Sequence, residues 1–331
     1  MMKWGTYNGK AVERFVLTNA KETRVAVLTL GGIVQEFSVV RNGYRENMVV
    51  NFDSVEDYVK NPYQICKQIG RVAGRIKDGQ FMLNGQTVNV PTNEGPNTLH
   101  GGDHGTSTQL FEGYQTADNE VTLTLRMKAT TDGFPGNAVV SINYLLTDDD
   151  RLTLTYDVTA QDETVYDPTL HIYWQLPENL QDTELRLNAL RHMVVDGAKL
   201  PTGELEPVSG AFDFTTTRSL SEAVQNLRQE QEQQGYDDGF NVEPSMTTPV
   251  AEITEHQRNL KVRVFSDRNG LIVFTADPKN GDHDAAGVYN SLATEPQTLP
   301  DALHHPEFGE IRLRAGEHKT MRMAFQIVDA E

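Results

Sequence analysis

The sequence predicts an all-β fold, a large antiparallel β-sandwich. Three observations lead there. Apolar residues recur with period two in many short segments, and clusters of Asp, Asn and Gly separate them. Only one stretch has a convincingly helical pattern.

Asn51 to Tyr63 can hold a helical turn. Val121, Leu123, Leu125 and Met127 share one face of an extended segment, because successive strand side chains point to opposite faces. The turn Thr147-Asp148-Asp149-Asp150 precedes a second such segment, Leu152, Leu154, Tyr156 and Val158. Ser221 to Gln234 is the predicted helix, with Ser221 as its cap, Gly235 as its stop and a polar outer face. Val262 and Val264 resume the alternation. The turn Asp267-Arg268-Asn269-Gly270 leads into Leu271-Ile272-Val273-Phe274, and Met321, Met323, Phe325 and Ile327 close the series. A prior of ~150 residues per domain suggests two domains for 331 residues. Yet no linker, charge block or repeat of 20–50 residues divides the chain, so residues 1–331 are read as a single sandwich domain.

A chain of this length buries roughly three quarters of its unfolded surface and needs neither disulfide nor metal to fold. Lys plus Arg number 29 against 47 Asp plus Glu, a net charge of −18. Such a surface repels phosphate backbones and anionic headgroups, which argues against nucleic-acid and membrane partners. The lone Cys66 excludes an intrachain disulfide and a Cys-rich zinc site, and reads as a small core residue. The first residues lack the apolar stretch of a signal peptide, and no run nears ~18 apolar residues. The expected location is cytoplasmic.

Four segments place polar residues inside strand-like or tightly turned sequence. In Gly70-Arg71-Val72-Ala73-Gly74-Arg75, two arginines could fork onto hydroxyls or carboxylates, although spacing alone favours structural arginines. In Asn97-Thr98-Leu99-His100-Gly101-Gly102, paired glycines leave room and unusual backbone angles beside His100; an incidental turn histidine is the equal alternative. In His171-Ile172-Tyr173-Trp174-Gln175-Leu176, alternation puts Ile172, Trp174 and Leu176 in the core and His171, Tyr173 and Gln175 on a polar face. That face suits either a binding surface or solvent. In Thr294 to Ala302, Pro296 and Pro300 pin the path around Glu295, giving a carboxylate on a fixed loop end. Together these offer histidine and carboxylate, the pair needed for proton transfer near neutral pH. His100, His171 and Glu295 could in principle form a His₂Glu metal site, but nothing in their spacing demands it, and no metal is predicted. There is no phosphate loop between strand and helix and no Gly-x-Ser-x-Gly elbow.

The four segments, in this order, resemble the aldose 1-epimerase (galactose mutarotase) family. The resemblance runs from Leu17-Thr18-Asn19-Ala20 through GRVAGRI at 70–76, NTLHGG at 97–102, DGFPG at 132–136 and HIYWQL at 171–176. GYDDGF at 235–240 and TEPQTLPDA at 294–302 complete it. It implies a galactose mutarotase-like sandwich that interconverts the α and β anomers of a free aldose without metal or organic cofactor. It implies Glu295 as general base and His171 as general acid. His100, Arg71 and Asp237 are then the groups that hold or polarise the sugar, with Tyr173 and Gln297 as weaker candidates for the same wall. The chain departs from the family pattern at Gly74 (usually Asn), Thr106 (Phe), Leu170 (Asn), Gln175 (Asn) and Asp238 (His). These departures leave room for a wider pocket, including one for a disaccharide such as maltose. The expected partner is a small neutral sugar, with the protein a monomer or homodimer. The alternatives are a non-catalytic sugar-binding protein, a hexose-6-phosphate epimerase and a glycosidase using Asp237 with Glu295.

Overall fold

A computed structural model describes residues 2–281 and 286–330. Every pair of neighbouring strands in its sheets runs antiparallel. A nine-stranded sheet begins with Glu112–Ala117, Glu120–Met127, Ala138–Leu146 and Arg151–Ala160, then takes in His318–Asp329, Leu260–Ser266 and Ala251–Glu255. A six-stranded sheet has the order Ile172–Gln175, Ser291–Gln297, Gly270–Ala276, Asp237–Val242, Ala189–Val195, Pro201–Pro207. A five-stranded N-terminal sheet spans Met2 to Asn47 and meets the six-stranded sheet through a bridge between Val49 and Trp174.

Alternation read from the sequence becomes alternation in burial. Ala138–Leu146 and Arg151–Ala160 bury every second residue, and Val140, Ile142, Leu152, Leu154 and Val158 are almost fully enclosed. One apolar cluster runs from Val12 to Ile327 and joins the inner faces of all three sheets. At ~25 cal/mol per Å² of apolar surface removed from water, this burial is the main force holding the layers together.

The helix forms at Leu220–Gln231, slightly before the predicted span. Ser219 rather than Ser221 is its cap, accepting from the Glu222 amide, and the left-handed Glu232 ends it before Gly235 is reached. Two serines flank Leu220 and either has the right chemistry; pairing of Arg218–Ser219 with Thr183–Leu187 selects the first. Leu220, Ala223, Val224 and Leu227 form its buried stripe. The helical turn expected after Asn51 is Val55–Lys60, capped by Ser54. Cys66 is buried, and burial pushes its thiol up to about 12, so it is inert packing.

Candidate active site

Strand pairing brings the two predicted proton-transfer residues together. Ile172 pairs with Thr294 and Tyr173 with Ala293. Continuing that antiparallel register by one residue sets His171 beside Glu295, and His171 Nε2 lies 3.3 Å from Glu295 Oε1. Both side chains are buried. The His171 ring stacks on Tyr173 at 4.8 Å, while Tyr173 Oη donates to the Tyr63 carbonyl at 2.8 Å. The polar face predicted for this strand therefore lines a cavity at His171 and Tyr173, and only Gln175 reaches solvent. Glu295 does not occupy a loop end, as the prolines suggested. It lies within Ser291–Gln297, an inner strand of the six-stranded sheet, opposite Ile272.

His100 follows the short strand Thr98–Leu99, whose partner is Arg75–Ile76. Its amide donates to the Gly74 carbonyl at 3.0 Å, and the Gly74 amide donates back to His100 Nδ1 at 3.2 Å. An accepting Nδ1 leaves the ring proton on Nε2, so His100 is a neutral donor. Gly101 is required here: a Cβ on it would come within 2.0 Å of the Gly70 carbonyl oxygen. His100 and His171 meet edge to face, 5.4 Å apart. Asp237 enters from Asp237–Val242, opposite Phe274, and lines the same cavity.

Arg71 is a correction. The resemblance implies a sugar ligand, but its side chain is fully buried and does not line the cavity. Its Nε and Nη2 clamp Asp132 at 2.7 and 3.0 Å. Its Nη1 donates to the Pro135 and Gly136 carbonyls and to Thr164 Oγ1. Each guanidinium nitrogen is thus engaged within the protein. The arginine on the cavity wall is Arg75, four residues on, held by a bidentate pair with Glu94 at 2.7 and 2.8 Å.

Burial controls the charges. It raises Glu295 to about 8, with Asp237 adding to the rise and Arg75 opposing it. It drives His171 well below the usual histidine range, assisted by His100 and Lys67. It lowers His100 to about 3, and the Arg75 charge pushes the same way. Both shifts run the same way, favouring the uncharged carboxylic acid and neutral imidazole over the ion pair at this 3.3 Å contact. Those two arrangements hold the same number of protons, so one proton shift along the contact interconverts them.

The cavity is about 220 Å³. His100, His171 and Glu295 converge at its head, offering atoms within 4.8 Å of one another, so these three are the described residues that could be drawn onto a metal ion. One wall is apolar, built from Met193, Val195, Ile272 and Phe274. Two carboxamides, Gln64 and Gln297, also face in. Of the five departures from the family pattern, only Gly74 touches the cavity. A Cβ there would press to 2.9 Å from Pro300 Cβ, on backbone at φ +74°. Thr106 is buried against the Gln68 carbonyl, Leu170 is core, and Gln175 is exposed. Asp238 is buried and raised to about 6 by desolvation; it accepts from Gln233 at 3.1 Å.

A family model described as aldose 1-epimerase matches residues 13–326. This chain belongs to the aldose 1-epimerase family. It is 41% identical to the maltose epimerase of Levilactobacillus brevis, over 97% of this chain and 96% of that one. It is 33% identical to the aldose 1-epimerase of Streptococcus thermophilus, over 97% of this chain and 96% of the relative. The crystal structure of galactose 1-epimerase from Lactobacillus acidophilus superposes with a TM-score of 0.86 at 25% identity, covering 100% of this chain and 98% of that one. The antiparallel sandwich expected from alternation is thus the sandwich of known aldose epimerases. Among the described residues no helix is long and apolar enough to cross a membrane.

Proposed function

We propose that this aldose epimerase interconverts the α and β anomers of a free neutral aldose, with Glu295 as base and His171 as acid. The observation that supports it most is their 3.3 Å contact at the head of a cavity. In the ion-pair arrangement, the Glu295 carboxylate removes the proton from the anomeric hydroxyl while the His171 imidazolium protonates the ring oxygen. The bond between C1 and the ring oxygen breaks as the C1 carbonyl forms. Rotation about C1–C2 exposes the other carbonyl face; as the ring closes, Glu295 gives its proton to the carbonyl oxygen while His171 takes one back from the attacking hydroxyl. Each turnover thus ends with the pair in its starting state. The neutral His100 donor, Arg75 and Asp237 are placed to hold oxygens beside the reacting carbon, in a low-dielectric site where such bonds are strong.

Maltose, glucose and galactose are the substrates to compare first, because relatives carry the names maltose epimerase and galactose mutarotase. A hexose 6-phosphate fits poorly. Of the two cations on the cavity wall, Arg75 is already paired with Glu94, and Asp237 would repel a dianion. The test is polarimetric: freshly dissolved α-glucose, α-galactose and β-maltose should reach equilibrium faster with the protein than without. Well-folded protein that accelerates none of them would refute the proposal, and calorimetric binding without acceleration would select the sugar-binding alternative.

A further inference from the structure

We propose that Gln64 and Gln297 are sugar-positioning residues, two carboxamides that read adjacent hydroxyls on either side of the His171–Glu295 pair. The inference rests on the mutarotase reading; it adds Gln64 to the wall for which the resemblance already offers Gln297, and extends the reading to how the sugar is oriented.

Gln297 stands two residues beyond Glu295 on the same strand, so both side chains point to the same face. It is completely buried, yet neither its Oε1 nor its Nε2 has a hydrogen-bond partner among the described residues. Its strand neighbour across the sheet is Gly270, which has no side chain to engage it. Gln64 approaches from the His171 side. Its carbonyl accepts from the Lys67 amide, and the Cys66 amide donates to the His171 carbonyl. Its Oε1 is buried and also unpartnered. The loop that aims it carries left-handed backbone at two residues other than glycine, Gln64 at φ 54° and Cys66 at φ 50°. Such strain is retained where surrounding bonds enforce it, and here Asn61 and Tyr173 supply them.

A buried, unpaired amide is costly in a protein interior, so native structures rarely keep one without a use. A carboxamide accepts through oxygen and donates through nitrogen, and a sugar diol does both in turn. A carboxylate or guanidinium offers only one of the two roles. The arrangement therefore suits an uncharged, hydroxyl-rich ring. It also supplies amides at other positions in a cavity where Gly74 provides none.

The experiment compares wild type with Gln64→Leu and Gln297→Leu on glucose and on 2-, 3-, 4- and 6-deoxyglucose. Leucine keeps the volume and removes the polar atoms. Each variant should lose roughly 10–100-fold in kcat/KM on glucose. Wild type should lose a comparable factor on at least one deoxy sugar, and the matching variant should show no further loss on that sugar. Melting temperatures should hold or rise, because an unsatisfied buried amide is gone. Two results would overturn the proposal: folded variants with wild-type kcat/KM on glucose, or variants that still pay the full penalty on every deoxy sugar. Gln64→Met and Gln297→Met provide the same comparison if a leucine variant fails to fold. Wild type inactive on all sugars would instead overturn the mutarotase reading. Calorimetry with glucose then decides the positioning role alone, since the variants must bind more weakly than wild type.

Discussion

Two buried polar clusters in this protein are built from similar materials and finished differently. Around Arg71, the guanidinium meets Asp132, Thr164 and two carbonyls, and none of its nitrogens is left over. Around Glu295, unpaired atoms accumulate: His171 Nδ1, Glu295 Oε2 and both ends of the Gln297 amide. The first cluster resembles a completed structural joint. The second resembles a site whose remaining partners arrive with a ligand. The lesson is that burial and polarity alone do not mark a functional residue; unsatisfied bonding capacity beside a cavity does.

Five measurements would break or sharpen that contrast. The largest effect is expected from Glu295→Gln, which removes the proposed base but keeps the shape. Its kcat should fall by ~10²–10⁴ while its melting temperature stays at or above wild type; a large drop in melting temperature would move Glu295 into the structural class. Arg71→Leu should do the reverse. It strands Asp132 without its partner and should cost ~3–5 kcal/mol in denaturant unfolding, with KM for the sugar unchanged in the folded fraction. Arg75→Ala should lower kcat/KM by roughly 10–100-fold with little loss of stability, since its ion pair with Glu94 is half exposed and only the sugar contact is at stake.

The fourth measurement is the pH profile of kcat/KM. The active pair carries one transferable proton. As pH rises through the raised pKa of Glu295, about 8, that proton is lost and activity should fall. The acid limb requires protonating His171 as well, and burial places that step well below the usual histidine range. Activity should therefore persist on the acid side of neutrality and decline above about 8. In Arg75→Ala the alkaline limb should move to higher pH, because the Arg75 charge holds Glu295 down. An unmoved limb would separate Arg75 from the catalytic pair. As the smallest effect, EDTA should leave activity unchanged; loss on chelation with recovery on adding zinc would instead assign His100, His171 and Glu295 to a metal.

Period-two alternation made the sandwich legible, because a half-buried strand leaves its pattern in the residues themselves. His171, Glu295, His100 and Asp237 were legible through ordered motifs, and the structure gathers all four on one cavity. Arg71 and Arg75 could not be told apart that way. Both stand in one short motif of irregular backbone, where neither period two nor period 3.6 says which arginine points inward. Gln64 left no signal at all, since its placement depends on left-handed backbone at residues that do not advertise it. Gln297 was named through the resemblance, as a weaker candidate for the sugar wall.

The cavity draws its walls from two kinds of structure. The His171–Glu295 pair sits where the inner strand Ser291–Gln297 meets the start of the edge strand Ile172–Gln175. Other lining residues come from the hairpin of Ala189–Val195 and Pro201–Pro207, and from the loop holding Pro62 and Tyr63. Mutation can therefore reshape the entrance without disturbing the proton-transfer geometry. A lineage carrying this scaffold is free to drift from one sugar to another, monosaccharide to disaccharide or back, by changing a hairpin tip while its chemistry stays fixed.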